Sequence, residues 1–283
     1  MAQNKKVSVV IPNYNYAKFL QKRVETILAQ TYPIYELLIM DDASRDGSVA
    51  KIRELVEFVK KKYPEMKVKT IFNTKNSGNV YAQWAKGFSE TTGDFVWIAE
   101  ADDLCNKRFL EKVMPAFDDD GVVISYAESR LIDENGRIRT LNARKWVDMF
   151  NTGHWKKSYV NNGRQELREV LYINNTIPNV SGVVFRKMGG SGVLLKKAQR
   201  FRLAGDWYFY AKLLLKGKIA YNKKSLNYHR VHNGGVTSTT RAEEYYNEVV
   251  SMQDMITNEI GLDDVMRDKI QEHRVAMQKR LGL

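Results

Sequence analysis

Three carboxylates, Glu100, Asp102 and Asp103, crowd the stretch WIAEADD at positions 97–103 of this 283-residue chain. They follow directly on an apolar run, FVWIA at 95–99, of the kind a strand buried on both faces needs. Acids at the carboxyl end of such a strand are not core. In an open α/β sheet that edge is where ligands bind, so these side chains are expected to face solvent. Hard oxygen donors gathered there suit Mg2+ or Mn2+ carrying a phosphate-bearing substrate. The plainer alternative is that Asp102 and Asp103 open the helix expected near Lys107, since Asp commonly caps helices.

The elements that must position these acids are legible in order. An apolar strand at 7–11 stops at Pro12, and NYNY at 13–16 leads into a helix with Leu20, Val24, Ile27 and Leu28 on one face. A second strand, 36–40, ends in DDASRDG at 41–47, and the next helix carries Val49, Ile52, Val56 and Val59. Strand 68–72, a polar loop at 73–79 and a helix at 80–90 precede the acid-tipped strand. Strands alternating with helices about every 25–30 residues predict a mostly parallel, doubly wound sheet. Asp41 and Asp42 then share a sheet edge with Asp102 and Asp103. Neither a G-x-G-x-x-G nor a G-x-x-x-x-G-K-[ST] pattern is present, so acids and a metal, not a glycine-rich loop, must manage a phosphate.

The second half changes character. A strand at 122–126 and a hairpin around 133–136 lead to an irregular, aromatic-rich region, 145–163. A short helix (165–172), a strand entered through small residues (179–186), a helix from Gly205 to Lys216 and short strands at 219–221 and 226–232 follow. Residues 241–283 read as two amphipathic helices. The organisation expected is a catalytic domain, 1–238, with a helical extension, 239–283. Leu262, Met266, Ile270, Met277 and Leu281 recur at helical spacing there. Packing on the catalytic domain or on a fused partner module is expected of them, with membrane-interface binding as the alternative.

Composition narrows the class. Hydrophobic residues at 43% and charged residues at 28% are ordinary for a soluble protein, and no apolar run approaches the ~20 residues that span a bilayer. The start lacks a signal-peptide core, and one cysteine, Cys105, excludes an internal disulfide and a cysteine-based zinc site. A cytoplasmic location is the expectation. Cys105 borders the acids without a nearby His, which makes it a packing residue rather than a nucleophile. A net charge of +12 could serve nucleic acid, anionic lipid or phosphorylated substrates, but the lysines are scattered and charge alone does not decide.

The residues resemble a known family, the inverting glycosyltransferases of the GT-A fold, family 2. The resemblance covers roughly residues 6–238 and rests on VSVVIPNYN (7–15), DDASRDG (41–47), NSGN (76–79), EADD (100–103), VSG (180–182), GDW (205–207) and YHRVH (228–232), in the family's order. It implies an enzyme that moves a sugar from a nucleotide-diphosphate donor to a saccharide or lipid-linked saccharide acceptor, as in bacterial surface-polysaccharide synthesis, with Mg2+ or Mn2+ as cofactor. By resemblance, Asp103 binds the metal and Asp102 the metal or the donor ribose. His232, with His229 as its competitor, completes the metal shell or contacts the diphosphate. Pro12 and Tyr14 wall the base, and Asp42 accepts a hydrogen bond from it. Asn79, Ser181 and Gly182 line the donor, and Asp206 is the general base. The sequence departs from the family's pattern at Glu100, where an Asp is usual, at Trp84-Ala85, where Arg-Asn is frequent, and at Gly205, often a Glu.

Two rivals belong to other classes. A phosphotransferase with Asp41 as nucleophile needs acids at the tip of the first strand, which ends in Pro12-Asn13. A non-catalytic basic module for anionic lipid or nucleic acid has no use for Asp42, Asp102, Asp103 and Asp206. The expected partners are therefore donor and acceptor sugars, not nucleic acid, with peripheral contact at the inner membrane face or with a fused module.

Overall fold

A computed structural model describes residues 5–140, 153–232 and 241–283. Four parallel strands form its first half: β1 (Val7–Asn13), β2 (Glu36–Asp41), β3 (Lys67–Phe72) and β4 (Phe95–Ile98). Between them run α1 (Ala17–Leu28), α2 (Ser48–Lys62) and α3 (Val80–Glu90). β1, β2 and β4 are buried at every position, as their apolar runs predict. β1 pairs with both β2 and β4, so the chain's winding reverses between β1 and β4. A crevice opens at the carboxyl ends of the strands at such a reversal. α3 lies close over this sheet at Gly87, where a Cβ would stand 2.5 Å from Val10 Cγ1.

After β5 (Leu104–Cys105) and α4 (Phe109–Val113), β6 (Val122–Ile132) turns into β7 (Ile138–Thr140), the expected hairpin. β8 (Tyr159–Asn162), α5 (Gly163–Glu166) and a π-helical turn, Leu167–Leu171, follow. A 3-10 turn, Val180–Gly182, then enters β9 (Val183–Arg186). β9 lies antiparallel between β4 and β6, so the sheet is parallel in its first half and mixed beyond it. α6 (Ser191–Ala198) and α7 (Gly205–Leu214) precede β10 (Lys218–Arg230). β10 is one long strand where the sequence reads as two short ones. Its register with β6 shifts near Asn222 and Ser225, and the polar NKKS at 222–225 disguises that continuity. Among the described residues the strand order is β3-β2-β1-β4-β9-β6-β10-β5.

One apolar layer covers each face of the sheet. Leu20, Val24, Ile52 and Phe109 from α1, α2 and α4 lie on one side; Trp84, Phe88, Trp207 and Phe209 from α3 and α7 lie on the other. Two helices extend the second layer, α8 (Ala242–Ile260) and α9 (Asp264–Leu281). Val249, Met252, Ile256, Met266, Ile270 and Met277 are buried in it, each contributing roughly 1.5–3 kcal/mol on burial. Leu281 packs at its margin and Leu262 is exposed. The domain boundary expected at 238 and part of the irregular region, 145–152, lie outside the described residues. No described helix is long and apolar enough to cross a membrane.

Candidate active site

A cavity of about 710 Å3 opens at the carboxyl ends of β1 and β4, and Pro12, Tyr14, Asp42, Asn79 and Glu100 line it. The turn after β1 is tied to the loop after β2 by polar side chains of both. Asn15 N–H donates to Ser44 Oγ (2.8 Å), Arg45 N–H to Asn15 Oδ1 (2.8 Å) and Ala17 N–H to Asp46 Oδ2 (3.0 Å). Asn15 and Ala43 both sit at positive φ, 57° and 59°, a conformation that costs a non-glycine residue about 1–3 kcal/mol and clusters at functional sites. Tyr14 is left 43% exposed, a ring face open to a flat ligand.

Asp42 is buried in the wall, and its carboxylate is already engaged. Asn73 Nδ2 (2.7 Å), Ser77 N–H (3.0 Å) and Ser77 Oγ (2.7 Å) all donate to it. It thereby ties the loop before α3 to the end of β2. Asn79 caps α3, accepting from Tyr81 and Ala82 N–H at 2.9 and 3.2 Å, and donates to Gln199 carbonyl at 2.9 Å. Both residues shape the pocket through the loops they hold. Asn13 Oδ1 and Gln83 Oε1 also belong to the cavity wall, buried and without a hydrogen-bond partner among the described residues. Sequence reasoning missed Gln83, whose neighbour Trp84 drew attention instead.

The acid cluster sits behind Glu100. Contrary to the expectation of a solvent-facing strand tip, Asp103 is 1% exposed. Its Oδ1 accepts Arg230 N–H (2.8 Å), while Oδ2 is buried with no partner among the described residues. Burial, then the Asp102 charge, raises the proton affinity of the Asp103 carboxyl. Asp102 Oδ2 meets His232 Nε2 at 2.9 Å. That hydrogen bond lifts the imidazole above its ordinary value and distinguishes His232 from His229, which lies back along β10. Glu100 is pushed up to about 8 by burial, and next by Asp102 and Asp103. Tyr16, given no role by the sequence, packs edge-on to His232 at 5.4 Å. Burial, followed by Asp102 and Glu100, holds its hydroxyl protonated.

Two departures from the family pattern prove to be partners: Trp84 Nε1–H donates to Glu100 Oε1 at 2.7 Å. Ser181 is fully buried and braces the same strand end, its hydroxyl accepting Glu100 N–H (3.0 Å) and its carbonyl accepting Trp97 Nε1–H (2.8 Å). Gly182 follows it in close contact with β6 and β10, where a Cβ would lie 3.3 Å from Ala127 carbonyl. Neither lines the cavity surface described above; they fix the acids that border it.

Asp206 stands apart, in the first turn of α7. Asn175 Nδ2 donates to its Oδ2 (2.9 Å) and Trp207 N–H to its Oδ1 (2.7 Å). Burial pushes the carboxyl up to about 7 against both hydrogen bonds, and Glu248 adds to the rise. A carboxyl tuned there is half-ionised near neutrality, as a general base requires. Its neighbour Gly205 is explained by Tyr81, whose ring a Cβ at that position would meet at 2.5 Å. Tyr81 in turn donates to Leu203 carbonyl (2.7 Å) and packs edge-on to Trp84 (5.0 Å). One chain of contacts thus runs from Glu100 through Trp84 and Tyr81 to the turn bearing Asp206.

The architecture is that of the GT-A fold, and the comparisons name the family. Residues 8–185 match Glycosyl transferase family 2, and the chain belongs to that family. An uncharacterized glycosyltransferase of Nostoc sp. is 29% identical over 230 residues, 80% of this chain and 65% of its own length. The chain therefore spans less than two thirds of that relative, and 19% of a further one from Rickettsia bellii. Among solved structures, S. aureus TarS 1-349 in complex with UDP-GlcNAc superposes with a TM-score of 0.65 at 20% identity, over 97% of this chain and 73% of that one. The mannosyltransferase PcManGT from Pyrobaculum calidifontis, in complex with GDP-Man and Mn2+, gives 0.62 at 15% identity, over 99% and 76%.

Proposed function

We propose that this chain is a metal-dependent, inverting glycosyltransferase. It takes a sugar from a nucleotide-diphosphate donor and delivers it to a saccharide or lipid-linked saccharide acceptor in bacterial surface-polysaccharide synthesis, at the cytoplasmic face of the membrane. The observation that carries the reading is a pair of unlike carboxylate sites linked through α3, by Trp84 on Glu100 and Tyr81 on the turn before Asp206. Tyr14, Asp42 and Asn79 share a cavity with Glu100, and Asp206 lies across α3 from it, held near neutrality.

In this reading Tyr14 and Pro12 pack against the base, and the loop pinned by Asp42 encloses the nucleoside. Asp102, Asp103 and His232 are the residues that would hold a divalent cation: Asp103 Oδ2 is buried and without a partner among the described residues, and Asp102 meets His232, but the ligand atoms of the three are not drawn together as those of His154, Glu166 and Glu169 are. When bound there, Mg2+ or Mn2+ supplies Lewis-acid stabilisation of the departing diphosphate. Asp206 accepts the proton of the acceptor hydroxyl as its oxygen attacks the anomeric carbon from the face opposite the leaving group. Asn175 holds the Asp206 carboxylate in its orientation.

Calorimetry with UDP, GDP and dTDP, with and without Mn2+, tests the reading. It predicts binding of one nucleoside diphosphate that requires the metal. Metal-independent, steeply salt-dependent binding of an oligonucleotide in its place would return the basic-module alternative.

A further inference from the structure

α8 lies beyond the residues matched to the family, yet it reaches the active site. Glu248, in its second turn, accepts backbone N–H groups from three consecutive residues far away in sequence. These are Arg202 (2.5 Å), Leu203 (2.8 Å) and Ala204 (2.8 Å), the turn that opens α7 and delivers Asp206. Hydrogen bonds to a carboxylate are about twice as strong as neutral ones, and three on one group fix a backbone segment. One helical turn earlier, Glu244 lines the donor cavity, so a single face of α8 addresses both halves of the site.

α8 is itself held firmly enough to act as a reference. Val249, Met252 and Ile256 are buried, and Gln253 Nε2 donates to Ile173 carbonyl at 2.8 Å. Lys212 of α7 pairs with Glu259 at 2.6 Å, Arg164 donates to Glu259 carbonyl at 2.9 Å, and Arg168 donates to Ile260 carbonyl. The helix therefore bridges the far end of α7 and, through Glu248, its beginning.

We infer that Glu248 is a positioning residue for Asp206, setting where α7 begins and hence where the base stands. The inference rests on the reading of Asp206 as the base. A displacement of about 1 Å at such a group can cost roughly a hundredfold in rate, so three hydrogen bonds at the turn matter to chemistry. The groups facing Asp206 from each packed element are Asn175 from the loop before β9, Tyr81 from α3, Tyr210 and Trp207 N–H from α7, and Glu248 from α8. Glu248 is the carboxylate among them, and its charge raises the proton affinity of Asp206. A helix peripheral to the fold thus both aims the base and tunes it.

The test is a pH titration of the full chain with 13C-labelled Asp carboxyls, the Asp206 signal identified by its loss in Asp206→Asn, together with amide exchange at Leu203 and Ala204. Glu248→Gln removes the charge and keeps an accepting oxygen. It is expected to move the Asp206 midpoint below its wild-type value while exchange rises modestly. Glu248→Ala is expected to move the midpoint and also to speed exchange at Leu203 and Ala204 by about tenfold or more, which corresponds to one lost hydrogen bond of ~1.4 kcal/mol. Turnover should follow the same order, wild type above Glu248→Gln above Glu248→Ala, measured as UDP release from UDP-GlcNAc in Mn2+. Wild-type exchange at Leu203 and Ala204 together with wild-type turnover in both variants, or in Glu248→Gln alone where Glu248→Ala fails to fold, overturns the inference. Failure of the base reading shows itself separately, as turnover retained in Asp206→Asn, and does not abolish the midpoint shift.

Discussion

The tip of β4 and the start of α7 both hold carboxyls with raised proton affinity, for different reasons. At the tip, Glu100, Asp102 and Asp103 lie together, and after burial the largest contributions are their mutual repulsion. At the helix start Asp206 is raised by burial against two hydrogen bonds, and Glu248 contributes least. A crowd of acids is relieved by a cation, which reverses its pKa logic. A solitary buried acid is relieved by taking a proton. In the proposed reading one site receives a metal and the other a proton from a substrate, and net charge does not distinguish the two.

The sharpest break in this comparison is Asp103→Asn. The amide oxygen can still accept Arg230 N–H, and a buried like charge is gone, so the melting temperature should hold or rise while calorimetric Mn2+ binding and turnover are lost. A folded variant with wild-type metal response removes the metal from this site. Smaller is Asp42→Asn, in which Ser77 N–H and Oγ lose a charged acceptor. Donor affinity should fall by about 1.5–3 kcal/mol, roughly ten- to hundredfold, with little effect on kcat at saturating donor. A larger effect on kcat than on affinity would mean that Asp42 serves the chemistry. At the helix start, Gly205→Ala should force Tyr81 aside and destabilise the fold by about 1–3 kcal/mol, read by thermal unfolding. An unchanged midpoint would show that the ring moves freely and does not define the turn.

What the sequence made legible follows the range of the interactions. Apolar runs gave the parallel strands β1, β2 and β4 because burial on both faces is a local signature. Tyr14, Asp42 and Asn79 are named by the family resemblance, and they line one cavity because each sits at a strand-to-helix turn. Glu248 could not be read, since its partners at 202–204 lie more than forty residues away and a lone Glu on an amphipathic helix looks like a solvated one. The same holds for Trp84 and Glu100, which read as two separate departures and are one hydrogen bond. α6 escaped because Gly189, Gly190 and Gly192 mask its start; β9 is legible as a strand at 179–186, but not its antiparallel direction, which is set by the neighbours it meets. The exposure expected of Asp103 failed for a related reason: Arg230, from a strand more than a hundred residues on, closes over it.

The central claim, that donor binding and proton removal are assigned to separate carboxylate sites, is tested most directly by Asp206→Asn. Its amide can orient a hydroxyl but cannot accept the proton. Titrated with nucleoside diphosphate and Mn2+, the variant should bind as the wild type does. Its kcat should fall by about 10²–10⁴, the usual contribution of a positioned base, and the acidic limb of kcat/KM near pH 7 should vanish with the group that titrates there. If the variant keeps more than about a tenth of wild-type kcat, or loses diphosphate affinity in step with turnover, the two sites are not separate in function, and Glu100 becomes the base to examine.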